Sequence, residues 1–143
     1  MKKRLLFLCT GNSCRSQMAE GFARAFLSDL YEVESAGTQK HGMNARAVRV
    51  MQEVGIDMAS HRSKTIDELP DALFECVITV CDSAKEACPV LPGSRILHMG
   101  FQDPPSITRG WSDEEAILDV YRRVRNEIRE GVLSLPARLG DLK

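Results

Sequence analysis

At 143 residues the chain has the size of one domain and can bury a core without disulfide or metal staples. Its 19 Lys and Arg against 20 Asp and Glu leave a formal net charge of -1, so no broad basic field is available to hold nucleic acid or an anionic membrane surface. Five cysteines, an odd count, with no long apolar stretch, argue against a disulfide scaffold or a membrane span and for a reducing, cytoplasmic setting in which thiols react.

Met1-Lys2-Lys3-Arg4 before Leu5-Leu6-Phe7-Leu8 has the outline of a secretory leader, but the apolar run is too short and Cys9-Thr10-Gly11-Asn12 ends it. Because that run is continuously apolar rather than alternating, Leu5 to Cys9 is expected to be a strand buried on both faces. From Ser16 onward Met18, Ala19, Phe22, Ala23, Phe26 and Leu30 recur at helical spacing, with Glu20 and Arg24 on the charged side. Tyr31 to Ser35 reads as a second strand stopped by Ala36-Gly37-Thr38. Asn44 suits the cap of a second helix with Ala47, Val50, Met51 and Val54 inward and Gly55 at its end.

Thr65 to Leu73 reads as a short helix and a turn around Pro70, and Cys76-Val77-Ile78-Thr79-Val80-Cys81 as a third, buried strand. A fourth is expected near Arg95 to Met99. Ser112 with Glu115 forms a capping-box pattern for a long helix whose inner stripe is Ile117, Val120, Tyr121, Val124 and Ile128. The charges Arg122, Arg123, Arg125, Glu127, Arg129 and Glu130 read as its solvated face, and Trp111 and Cys76 as packing residues. The alternation implies an α/β fold: one domain over residues 1–143, with a four-stranded, mostly parallel sheet and helices on both faces. Ligands of such sheets sit beyond the carboxyl ends of the strands, where Cys9 and Cys81 both fall.

The chemistry concentrates in Cys9-Thr10-Gly11-Asn12-Ser13-Cys14-Arg15-Ser16, between the first strand and first helix. A loop in that place turns successive backbone N–H groups inward, and the helix N-terminus adds partial positive charge toward the same point. Thr10, Gly11, Asn12, Ser13, Cys14, Arg15 and Ser16 thus make an oxyanion cradle, with Arg15 able to clamp two oxygens and the same field favouring a Cys9 thiolate. Gly11 permits close backbone approach, Asn12 tolerates left-handed geometry, and Ser16 is placed to hydrogen-bond the Cys9 sulfur. The lysine of a nucleotide-binding P-loop is missing, which disfavours a nucleoside triphosphate. The plain alternative is an inert core cysteine, and the spacing to Arg15 outweighs it.

Asp103, followed by Pro104 and Pro105, can protonate a departing oxygen, although Asp-Pro also occurs in ordinary turns. Cys81 and Cys88 lack the further ligands of a zinc site. A redox reading fits better: Cys81 attacks the sulfur of a Cys9 adduct and Cys88 then attacks Cys81, the alternative being two unrelated thiols. Cys14 reads as a packed thiol able to pair with Cys9 on oxidation, and His41, His61 and His98 have no metal-ligand spacing, so no metal is expected.

Taken together, these residues resemble the thioredoxin-coupled arsenate reductases built on the low-molecular-weight tyrosine phosphatase fold, which has a flavodoxin-like topology. The resemblance spans nearly the whole chain: Cys9 to Glu20, Ser35-Ala36-Gly37, Ile78 to Cys81, Cys88 to Pro92 and Phe101 to Pro105. The pair Cys81 and Cys88 discriminates, because phosphatases of this fold generally lack it. The resemblance implies that Cys9 attacks arsenate held by Arg15 and the cradle, with Asp103 as acid. A Cys9–Cys81 and then a Cys81–Cys88 disulfide follow, reduced by thioredoxin as the external reductant. It further implies no bound cofactor, phosphate or sulfate as competing oxyanions, and weak phosphatase activity; for the oligomeric state a monomer is the simpler expectation. Some members hold potassium through positions matching Asn12, Glu20 and Ser35, but the remaining acidic position here carries Lys64, whose ammonium is expected to take the ion's place beside His61.

Overall fold

The structure is a computed structural model that describes residues 2–69, 74–81 and 95–141. Strands β1 (Lys3–Cys9), β2 (Tyr31–Gly37), β3 (Cys76–Thr79) and β4 (Arg95–His98) form one sheet in the order β2-β1-β3-β4. Every pairing is parallel, and Cys9 lies opposite Gly37 at the carboxyl end of the central strand β1. Five consecutive apolar or thiol side chains, Leu5 to Cys9, can occupy β1 because both of its faces are covered. Leu5, Phe7 and Cys9 enter the main core, whereas Leu6 and Leu8 join Ala36 and Val77 on the other face.

Helices α1 (Arg15–Phe26), α2 (Ala45–Glu53) and α4 (Glu114–Leu133) supply the main core with Met18, Phe22, Val50, Met51, Leu118, Tyr121 and Ile128. Each such large apolar side chain contributes about 1.5–3 kcal/mol on burial. Short helices α3 (Pro104–Ile107) and α5 (Leu135–Arg138) complete the described elements. Across the sheet, Ile66 and Leu69, around a single 3-10 turn, pack with Phe74 on the smaller cluster.

Several boundaries differ from the sequence reading for physical reasons. β2 runs two residues past Ser35 because Ala36 and Gly37 continue the ladder opposite Leu8 and Cys9. α1 stops at Phe26, where the Leu27 amide bonds back to the Ala23 carbonyl, so Leu27 is buried while Phe26 and Leu30 are exposed. Glu20 was expected on the charged side of α1 but is buried, since β2 and the loop at Lys64 close over it. Val54 is exposed because α2 ends at Glu53. β3 and β4 each end before the expected residue, at Thr79 and His98.

Asn44 caps α2 by accepting from the Arg46 and Ala47 amides. α4 is capped by Asp113, not Ser112, through the Glu115 and Ala116 amides. Arg125 is not on the solvated face of α4: it is buried and donates to the Val50 carbonyl and to Glu53. Trp111 is exposed, whereas Cys76 is core. The turn expected at Pro70 lies outside the described residues.

Candidate active site

β1 ends at Cys9 and α1 begins at Arg15, so the connecting loop wraps the N-terminal end of the helix. It encloses one side of a cavity of about 430 Å³ lined by Cys9, Thr10, Gly11, Ser13, Cys14 and Arg15. Asn12 takes the left-handed backbone conformation, with φ of 48°, which turns its side chain away from that cavity. Gly37 lets the loop lie against β2: a Cβ there would come within 2.5 Å of the Thr10 carbonyl oxygen and 2.9 Å of the Asn12 nitrogen. The Ser16 hydroxyl sits 3.2 Å from the Cys9 sulfur and receives an Asn12 Nδ2 hydrogen bond of 2.9 Å.

Opposite the loop, Arg15 is buried, donates to the Phe101 carbonyl at 3.0 Å, and brings its Nε to 3.4 Å from Asp103 Oδ1. The Ser106 hydroxyl donates to the other Asp103 oxygen at 2.7 Å. Asp103 therefore faces the cavity with its carboxyl oriented from two sides. Burial pushes the Cys14 thiol well up, with Asp103 and Cys9 adding to the effect, which keeps Cys14 protonated at neutral pH. Asn44 joins the wall: it donates through its backbone to the Ser13 carbonyl and through its amide to the buried Tyr121 hydroxyl, tying α4 to the loop.

Behind the loop lies a second charged cluster. Glu20 accepts from the Ser35 hydroxyl at 2.5 Å and from Arg24 at 2.8 Å. Lys64 Nζ stands 3.6 Å from both Glu20 and Glu34, and His61 Nδ1 is 3.8 Å from Glu20. Burial disfavours the Glu20 carboxylate, but the Ser35 hydroxyl, Lys64 and Arg24 outweigh it and hold the group below its usual range. Burial lowers His61, against the pull of Glu20. The Asn12 oxygen is occupied by the Lys64 and Gln17 nitrogens, and its Nδ2 donates to Ser35 as well as Ser16.

The cavity thus gathers Cys9, Thr10, Gly11, Ser13, Cys14, Arg15 and Asp103, while Asn12 and Ser16 stand behind it and Asn12, Glu20, Ser35 and Lys64 meet in the second cluster. Cys81 follows β3, is fully buried, and lies with its sulfur 3.9 Å from the Leu8 carbonyl. Cys88 lies outside the described residues. Sequence reasoning missed His41, Met43 and Arg109 as cavity residues and read Asn44 only as a cap. The His41 ring occupies the space a Gly11 side chain would need, 2.4 Å from its Cβ position, a proximity that no local pattern signals. No cluster able to hold a metal ion, and no helix able to cross a membrane, occurs among the described residues.

Residues 4–141 match the family described as Low molecular weight phosphotyrosine protein phosphatase. An arsenate reductase of Staphylococcus epidermidis is 42% identical over 138 residues, 96% of this chain and 98% of that protein. One of Halalkalibacterium halodurans is 44% identical over 128 residues, covering 89% and 90% of the two chains. A solved arsenate reductase in its phosphate-binding state superposes with a TM-score of 0.77 at 32% identity, covering 95% of this chain and 98% of its own.

Proposed function

Because the chain belongs to the low molecular weight phosphotyrosine protein phosphatase family, with arsenate reductases among its relatives, we propose that it reduces arsenate to arsenite. The observation that carries this reading is a buried thiol, Cys81, two residues past β3 and against the Leu8 carbonyl of the strand that delivers Cys9 to an arginine-lined cavity. Phosphoester hydrolysis has no use for that second thiol.

Cys9 Sγ attacks the arsenic of an arsenate seated among the backbone amides of the cradle and Arg15, while Asp103 protonates the departing oxygen, which leaves as water. The Cys81 thiolate attacks Cys9 Sγ; the sulfur–arsenic bond breaks with its electron pair going to arsenic, which departs as arsenite. Cys88 attacks Cys81, expelling the Cys9 thiolate and leaving a Cys81–Cys88 disulfide for an external dithiol of the thioredoxin type. Two electrons pass from the thiols to arsenic per cycle. Phosphate and sulfate compete for the same cavity. No bound cofactor takes part, and the protein works as one cytoplasmic domain and as a monomer.

At the second cluster, the residues present do not fit a potassium ion. Lys64 and Arg24 each pair with both Glu20 and Glu34, and the Asn12 oxygen accepts two hydrogen bonds, so the cluster carries its own cations. A second reading, hydrolysis of phosphotyrosine or another phosphomonoester by Cys9, Arg15 and Asp103 alone, draws on the family match and the 3.4 Å approach of Arg15 to Asp103. NADPH consumption with arsenate, thioredoxin and thioredoxin reductase decides between them. Turnover abolished singly by Cys9→Ser, Cys81→Ser and Cys88→Ser supports the reductase. Hydrolysis of a phosphomonoester that needs Cys9 alone, without arsenate-dependent NADPH loss, supports the phosphatase.

A further inference from the structure

The mouth of the Cys9 cavity carries a cation that the chemistry above leaves unused. Arg109 lies two residues beyond α3, and it lines the same cavity as Cys9, Arg15 and Asp103. It is exposed and makes no hydrogen bond or ion pair with any described residue. Arg15, by contrast, is buried and committed to the Phe101 carbonyl and to Asp103. The two arginines lining one cavity therefore have different duties: the inner one is fixed by protein groups, and the outer one is available to whatever enters.

Charge makes that availability consequential. A doubly charged tetrahedral oxyanion must approach Cys9 and the Asp103 side chain, and the single charge of Arg15 does not balance the two charges of the incoming anion. A second guanidinium at the rim supplies further positive charge, raising local anion concentration and stabilising the bound dianion. It does nothing for an uncharged product such as arsenous acid. We propose that Arg109 is the capture and charge-selecting residue of this cavity, drawing the dianionic oxyanion inward and leaving the uncharged reduced product free to depart. The assignment rests on the oxyanion reading of the cavity but does not require that the anion be reduced.

Inorganic phosphate is the probe, titrated calorimetrically into the reduced full-length wild type and the Arg109→Gln and Arg109→Lys variants at low and at high ionic strength. Arg109→Gln is expected to weaken phosphate about fivefold to tenfold at low salt, and the deficit is expected to shrink toward about twofold once salt screens the rim. Arg109→Lys stays within about threefold of wild type, because a point charge suffices for capture. In steady-state arsenate reduction, KM for arsenate rises in step with the phosphate dissociation constant while kcat holds. Phosphate affinity within twofold of wild type for Arg109→Gln at low salt overturns the proposal, as does a loss equally large at high salt, which marks a structural effect. A raised KM for thioredoxin with phosphate affinity unchanged also overturns it and places Arg109 on the reductant's docking face. A wild type that binds phosphate yet reduces no arsenate defeats the reductase reading and leaves this one standing.

Discussion

The loop between β1 and α1 has two sides that solve opposite electrostatic problems. Its front lines an open cavity with Arg15, held by the Phe101 carbonyl and Asp103, on the inside and the exposed Arg109 beside it. Its back packs on a buried cluster where Glu20 and Lys64 are both protein groups and the charges are matched internally. Asn12 joins them, because its left-handed backbone leaves the amides at the front and sends its side chain to Ser16, Ser35 and the Lys64 nitrogen at the back. A hydrogen-bonded chain therefore runs from Cys9 through Ser16, Asn12 and Ser35 to Glu20. The front is built to exchange its charge partner every turnover, and the back to hold one permanently, so substitutions at the front should affect rate and those at the back stability.

Arg15→Lys tests the front most severely. Losing the planar fork that can hold two oxyanion oxygens while also bonding Phe101 is expected to lower kcat/KM for arsenate by about a hundredfold or more, with the melting temperature changed far less. Asp103→Asn removes the proposed proton donor but keeps the shape. A fall in kcat of about a hundredfold is expected, with phosphate affinity nearly intact; a small effect in a pH–rate profile contradicts the acid assignment.

The back should respond in the other currency. Glu20→Gln is expected to cost about 2 kcal/mol by denaturant titration, since Lys64 and the Ser35 hydroxyl lose a buried charged acceptor, while turnover falls only severalfold. Glu20 titrates below its ordinary value of 4.5 when folded, so its contribution is complete above that pH and is lost as pH falls through the folded value. His61 is held below its ordinary 6.5, so the unfolded chain takes up its proton first and stability begins to drop as pH falls through that value. Acid titration of wild type should therefore destabilise the protein in both ranges, and Glu20→Gln should remove the Glu20 share of the lower one, leaving that of Glu53, Glu68, Glu114 and Asp141. The smallest effect is expected for potassium in place of sodium: less than twofold on turnover and no shift in melting temperature. A severalfold rise would show that Lys64 does not fill the cation's place.

How far the sequence reveals these two sides depends on how local each is. The strand at Leu5 to Cys9, the loop to Arg15 and the Asn44 cap are written in neighbouring residues, and each lies where its pattern puts it. Glu20 is different. Helical spacing marks which side of α1 is most apolar but does not reveal that Ser35 of β2 and Lys64 of a later loop will cover the opposite side. Leu30 fails for a related reason: it continues the apolar period after the hydrogen-bond ladder has ended, just as Phe26 closes the helix and lies exposed in its last turn. Arg109 and His41 have no pattern at all, because they reach the cavity only when segments far apart in sequence converge on it. Asp113 displaced Ser112 as the α4 cap because two adjacent residues offered competent oxygens and only the backbone path chose between them.

The central claim is that Cys81 receives the electrons' partner bond from Cys9, and a single turnover of Cys88→Ser tests it most directly. Reduced protein mixed with arsenate and no external reductant should release one arsenite per chain and trap a Cys9–Cys81 disulfide visible by peptide mapping. An intact pair of thiols with no arsenite formed, in a protein that still hydrolyses a phosphomonoester through Cys9, would contradict the account and leave a phosphatase in its place.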